Sequence, residues 1–356
     1  MLELREITRA QEFDATLDGP DIPFTQRSFY GEWQRLEGRR ARMFAVLDGE
    51  TPLARFQIIA YALPPHFTYW YIPHGPILAG NLPKNFFAEF QRLLLKLAEK
   101  DKPVFIRFDV FPPSYSVEQG SELKKYFTQA SAASFRGSYF QPKFEWVLDI
   151  SKPDQEILDA MHKNARYGIT ASERKEVTVD ILPVGLPQAT EEFYTIMKET
   201  AVRDKFSLHS KEYYRQILEE CERNRNAFFA IARYGNKTLV MHLVLVYGHM
   251  AYHVFGGSRT ELRNLMPVHG AHWASIKEAK KRGCKIYNFG GVSGGHEVYK
   301  NLDSLTFFKT RFGGFMIEYG DFYDMAVRPV LYQLYILRKH YRTFLTSFTM
   351  KLTWKQ

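Results

Sequence analysis

Two cysteines in 356 residues, Cys221 and Cys284, leave no disulfide framework to expect, and neither stands in a spacing that a metal site uses. The opening MLELREITRA has no apolar signal core, and no apolar run is long enough to span a bilayer, so a cytoplasmic protein is expected. A Walker-type phosphate loop is absent. So is the Arg/Gln-x-x-Gly-x-Gly/Ala run that commonly holds a CoA pyrophosphate; RYGITA at 166–171 misses its spacing. Acids are also missing from the end of the chain, after Asp324.

What is present bounds the answer differently. Lys and Arg number 48 against 39 Asp and Glu, a net charge of +9. That excess favours anionic partners: nucleic acid, phosphate-bearing substrates or an acidic membrane face. At 45% hydrophobic and 15% aromatic residues, the chain can bury a sizeable core, as one large or two medium domains.

The pattern along the chain alternates helices and strands. Residues 25–38 predict a helix with Phe29 and Trp33 on one face; 40–47 and 53–62 predict a hairpin around Asp48-Gly49-Glu50. A strand over 67–77 ends in the turn Pro73-His74-Gly75-Pro76. Phe86, Phe87, Phe90, Leu93, Leu94 and Leu97 recur at helical spacing. The apolar strand 103–113 presents Asp109; 118–128 is helical and 142–150 returns as a strand. Ser151 is the expected cap of a new helix, with Pro153 in its first turn. A strand at 177–184, helices at 188–202 and 210–223, strands at 226–233, 237–247 and 250–256, and a helix at 267–282 follow. The two halves share one order: helices, a strand meander, a long helix, another strand. An α/β fold with a duplicated architecture is the expectation.

The stretch 285–319 holds the chemistry. A short apolar strand runs into Gly290 and Gly291, then a turn with Gly294 and Gly295, then a helix carrying Phe308 and Lys309, and a closing strand after Gly313-Gly314. A lysine held beside an aromatic at such a turn suits an anionic group. Gly291-Val292-Ser293-Gly294-Gly295 also fits the nucleophile-elbow pattern, but only His296 and His340 follow Ser293 as bases. His249/His253 and His269/His272 have helix-like spacing without Glu-x-x-His or Cys partners, so they read as structural and no metal is expected. In the tail, 328–356, Leu334, Leu337, Tyr341, Phe344, Phe348 and Leu352 form an apolar stripe among Arg338, Lys339, Arg342, Lys351 and Lys355. Two readings of it stay open: a helix packed on the body, or a basic amphipathic helix on an anionic membrane.

Six ordered stretches carry a resemblance. They are TQRSFYGEWQR (25–35), YIPHGPI (71–77) with FIRFD (105–109), KNARYGITASER (163–174), ETAVRDKFSLHSKEYY (199–214), the run from Gly256 to Gly291, and YKNLDSLTFFKTRFGG (299–314). Together they resemble the Fem family of non-ribosomal peptidyl transferases over nearly the whole chain. The resemblance implies two tandem acetyltransferase-like domains, 1–149 completed by 322–356, and 150–321. It implies transfer of an amino acid from aminoacyl-tRNA to the stem-peptide amine of a peptidoglycan precursor, either lipid II or UDP-MurNAc-pentapeptide, with no cofactor and with possible peripheral contact at the inner membrane face. Phe308 and Lys309 match the pair associated with the tRNA acceptor end and the reacting ester. Asp109 matches an acid considered as the base. Gly75, Gly290 and Gly291 belong to the matching turns. Arg35, with Gln34 as the alternative in register, lies near the family's diphosphate-binding lysine. His209 and His74 stand where the family commonly has arginine. A CoA-dependent N-acyltransferase and a non-catalytic tRNA- or membrane-binding module are the competing functions.

Overall fold

The computed structural model describes residues 1–19, 21–110, 116–130 and 141–339. It contains two compact units, one of residues 1–18, 23–141 and 319 onward, the other of 19–22 and 142–318.

The first unit begins with β1 (Leu2–Ile7), α1 (Ala10–Ala15), α2 (Ser28–Leu36), β2 (Arg40–Asp48), β3 (Thr51–Leu63), β4 (Phe67–Ile72) and β5 (Ile77–Leu78). It continues with α3 (Phe86–Asp101), β6 (Phe105–Asp109), α4 (Val117–Tyr126) and β7 (Thr128–Gln129). The second unit then follows as β8 (Phe144–Asp149), α5 (Asp154–Ala160), α6 (Lys163–Arg174), β9 (Thr178–Pro183), α7 (Pro187–Asp204) and α8 (Lys211–Asn224). After these come β10 (Ala227–Tyr234), β11 (Lys237–Tyr247), β12 (Met250–Ser258), α9 (Pro267–Lys281), β13 (Ile286–Gly291), α10 (Asp303–Thr310) and β14 (Phe315–Glu318). The chain returns to the first unit with β15 (Phe322–Ala326).

Both sheets repeat one plan. The first is ordered β1-β2-β3-β4-β6-β15-β7, the second β14-β8-β13-β12-β11-β10-β9. Each is an antiparallel meander joined to one parallel pair: β4 with β6, and β12 with β13. A parallel neighbour needs a long crossover, and each unit spends one helix on it, α3 in the first and α9 in the second.

Of the predicted stripe on α3, Phe86, Phe87, Phe90, Leu93 and Leu94 enter the first core and Leu97 packs against it partly buried, while Ala98 joins the core as well. Phe90 touches Phe56 and Phe86 and is fully buried; truncation to alanine would cost about 3–5 kcal/mol. Asp324 on β15 stands opposite Arg107 on β6, and the two form a buried bidentate pair at 2.7 Å, with Tyr332 donating to the same carboxylate at 2.9 Å.

Three expectations change. The strand at 142–150, expected to close the first domain, pairs as β8 with β13 and β14 of the second sheet. Its apolar alternation marks a strand but not its partner. Ser151 does not cap a helix: its N–H and hydroxyl both bond Asp149 Oδ1, at 2.9 and 2.6 Å, and the helix starts after Pro153. The tail helix, described over 329–339, turns Tyr332 and Tyr335 toward Phe105, while Leu334 and Leu337 of the predicted stripe are exposed. The rest of that stripe, from Tyr341, lies outside the described residues.

Candidate functional site

In the first unit, β6 is buried along its whole length, Arg107 included, and ends on a carboxylate. Asp109 is buried, 2% exposed. Tyr71 OH donates to its Oδ2 at 3.0 Å, and the backbone N–H of His74 donates to Oδ1 at 2.6 Å. His74 adopts a left-handed backbone, φ +49°, which a non-glycine residue holds only when its surroundings impose it. Here the hydrogen bond to Asp109 and a parallel stack on Tyr319, ring centres 4.1 Å apart, do so. Thr25 Oγ1 meets His74 Nδ1 at 3.0 Å, leaving Nε2 3.5 Å from Asp109 Oδ2.

Desolvation sets the charge states. Burial pushes the Asp109 carboxyl up to about 7, against the pull of its two donors. Burial also pushes His74 down to about 3, so the imidazole is neutral and its contact with Asp109 is not an ion pair. The result is a carboxyl group poised to hold or release a proton near neutral pH, with a neutral ring beside it.

In the second unit, the chemistry gathers at the end of β13. The register of β13 on β8 shifts between Asn288 and Gly291, a bulge. Gly290 sits in it at φ +79°, a conformation that L side chains rarely take. Beside the bulge, Lys309 Nζ on α10 donates to the Gly291 carbonyl at 2.7 Å. Lys309 is half-buried, and loss of solvation lowers its ammonium to about 8, while the Glu145 carboxylate opposes that shift. Glu145 is itself held by Asn288 Nδ2 at 2.6 Å, and Asn288 Oδ1 accepts from Gly290 N–H at 2.7 Å. One asparagine thus orients both the carboxylate and the glycine turn.

The other predicted residues divide. Phe308 leans on the second core against His269, His272 and Phe312, with ring centres 5.3 to 5.6 Å apart. Gly75 lies in the turn after β4, where a Cβ would stand 2.6 Å from Gln26 Nε2. Arg35 is half-exposed, paired with Glu32 and donating to the Ala41 carbonyl at 2.8 Å. Its alternative, Gln34, is buried and accepts from Tyr61 and Arg39. His209 is exposed and stacked on Tyr213 at 4.0 Å. Ser293 is buried, its N–H bonded to Thr306 Oγ1 at 2.8 Å and its hydroxyl accepting from Thr306 at 3.3 Å. A buried serine hydroxyl answering a threonine is not presented as an elbow nucleophile is.

Sequence reasoning missed Tyr71, Thr25 and Tyr319 around Asp109, and Glu145 and Asn288 around Lys309. It also paired the histidines differently. His242, His253 and His272 come together, on β11, β12 and α9. The available signal was His242, a lone polar residue inside the apolar run of β11.

The sequence model of the FemAB family matches residues 9–241 and 222–340. Proteins called Lipid II:glycine glycyltransferase from Staphylococcus haemolyticus (strain JCSC1435) and Staphylococcus aureus (strain USA300) are each 20% identical, over 94% of this chain and 95% of the relative. The first alignment runs to 408 positions, longer than this chain's 356 residues, so the relative carries insertions that this chain lacks. The crystal structure of FemX matches the fold with a TM-score of 0.80 at 20% identity, over 93% of this chain and 99% of that one. A tandem GNAT protein from the clavulanic acid biosynthesis pathway matches at 0.55 and 11% identity, over 92% and 99%. Two mixed sheets flanked by helices, in the tandem acetyltransferase-like manner, are therefore the fold.

Proposed function

Because the chain belongs to the FemAB family, we propose that it is an aminoacyltransferase that moves an amino acid from aminoacyl-tRNA onto the stem-peptide amine of a peptidoglycan precursor. The observation that carries the reading is Asp109, a buried carboxyl at the carboxyl end of a parallel strand, raised to about 7. The names of the staphylococcal relatives support lipid II as the acceptor; UDP-MurNAc-pentapeptide is the soluble alternative.

The reaction is aminolysis of an ester. A lysine-type amine with an ordinary pKa of about 10.4 is neutral in only about one molecule in 2,500 at pH 7, a deficit of roughly 4.6 kcal/mol. Asp109 as carboxylate takes the amine's proton as the C–N bond forms, and Tyr71 and His74 hold it in place. The ester carbonyl becomes an oxyanion, for which Lys309 as ammonium is the proposed donor, worth roughly 3–4 kcal/mol. The intermediate then expels the ribose oxygen, which leaves with the proton that Asp109 took from the amine. Phe308, Gly290 and Gly291 are assigned to the acceptor end of the tRNA, and Arg35, His209 and Gly75 to the precursor.

Exposed Val330, Leu334 and Leu337 on the tail helix, beside Arg338 and Lys339, suit peripheral contact with an anionic inner membrane face in the cytoplasm. Among the described residues, no helix is long and apolar enough to cross a membrane.

The test is purified protein with a panel of radiolabelled aminoacyl-tRNAs and both precursors. Label should pass to lipid II or to UDP-MurNAc-pentapeptide, and the signal should weaken steeply with salt. Transfer from acyl-CoA alone, or tRNA binding with no transfer to either precursor, overturns the proposal.

A further inference from the structure

Three imidazoles converge inside the second unit, and their placement is built rather than incidental. His242 stands on β11 directly opposite Gly256 of β12. Next to that pair the β11–β12 register shifts between Leu243 and Val244, which stand opposite Phe255 and His253. An extra residue there re-aims the side chains around it. β12 also parts from β13 after the Tyr252–Asn288 pair, opening the sheet beside His253. His272 comes from the middle of α9, the crossover helix. The ring centres lie 4.4, 4.3 and 4.9 Å apart, and one nitrogen of each ring falls within 4.8 Å of the other two.

Two features point to a ligand. Nδ1 of His242 and Nε2 of His253 are shut off from solvent and have no hydrogen-bond partner among the described residues. His242 and His272 are each only 3% exposed. Meanwhile Tyr287 OH meets His272 Nδ1 at 3.3 Å, the kind of second contact that orients a ligating ring and leaves Nε2 for the ion. Gly256 supplies the cradle: a Cβ there would stand 2.5 Å from His253 Nε2 and 3.0 Å from His242 Cδ2.

We propose that His242, His253 and His272 bind a divalent d-block cation of the zinc class. Neutral imidazole nitrogens are its preferred ligands at about 2.0–2.1 Å, and a tetrahedral arrangement needs them about 3.3 Å apart. Binding requires the rings to turn, closing the three nitrogens from within 4.8 Å of one another to that spacing. Three protein ligands leave the fourth position to water or an anion. Phe289, Phe308 and Phe312 pack around His272 and limit the access of solvent to its ring. Lys309 is the cation whose charge reaches His253 and His272, so it opposes metal uptake.

The experiment uses chelator-treated full-length protein and cobalt(II) as the probe. One equivalent should produce visible d–d bands of a tetrahedral site, and one equivalent of zinc(II) should erase them. The double variant His253→Gln/His272→Gln should lose affinity by at least about 100-fold. Gly256→Ala, which keeps all three imidazoles but fills the cradle, should lose it too, whereas His66→Ala, at an exposed histidine, should bind as the parent does. Lys309→Met should tighten uptake. No cobalt bands in the parent, or stoichiometric binding that survives the double variant, overturns the site. Circular dichroism of each variant separates lost binding from lost folding.

Discussion

The ammonium of Lys309 donates to the carbonyl of Gly291 at 2.7 Å, across a bulge whose inner residue, Gly290, has φ +79°. Lysine position and glycine conformation are therefore one device. Gly290→Ala should cost about 1–3 kcal/mol in urea unfolding, from the forced left-handed backbone, and should reduce turnover by misplacing the carbonyl that anchors Nζ. An alanine variant as stable and as active as the parent would dissolve the link.

Lys309 itself should separate activity from folding. Lys309→Ala removes a half-buried ammonium without opening either core. Single-turnover transfer should fall by about 100- to 1,000-fold, with a urea midpoint close to the parent's. Near-normal transfer would take Lys309 out of the mechanism.

Asp109 links stability to pH. Its carboxyl is raised from an ordinary value near 4 to about 7 by burial, so folding favours the protonated form. That contribution is fully present below the ordinary value and is lost as pH rises through about 7. The whole effect is about 4 kcal/mol at most. Asp109→Asn, which stays neutral, should gain on the parent as pH climbs from 5 to 8. Parallel urea midpoints across that range would falsify the assignment.

Rate should respond to both groups. Asp109 must be a carboxylate, which requires pH above about 7, and Lys309 must be an ammonium, which fails above about 8. Single-turnover transfer should trace a narrow bell between those limits. Lys309→Arg should flatten the alkaline limb, because arginine keeps its charge. A parent rate that keeps climbing well past pH 8 contradicts the ammonium role.

The pair Arg107–Asp324 predicts a structural effect. Asp324→Asn leaves a buried guanidinium with half its partner and should cost about 3–5 kcal/mol. Chemical denaturation should show the loss in the first unit. Replacing both residues with apolar ones of similar size should recover much of it; failure to recover would mean that the pair has a role beyond charge balance.

Much was legible from local pattern. The stripe on α3, the strand that ends in Asp109, the glycine pair before Lys309 and the duplicated order of elements all follow from period, turn chemistry and the position of charge. These signals act over a few residues, and chain connectivity fixes them before anything folds. Partnership across distance did not follow. β8 reads as a strand wherever it pairs, so only the sheet assigned it to β13 and β14. Tyr71 meets Asp109 across 38 residues, and His242, His253 and His272 meet only because two strands and a crossover helix place them together. The charge of a carboxyl or an imidazole depends on how much water its neighbours exclude, and that quantity exists only once the core has closed.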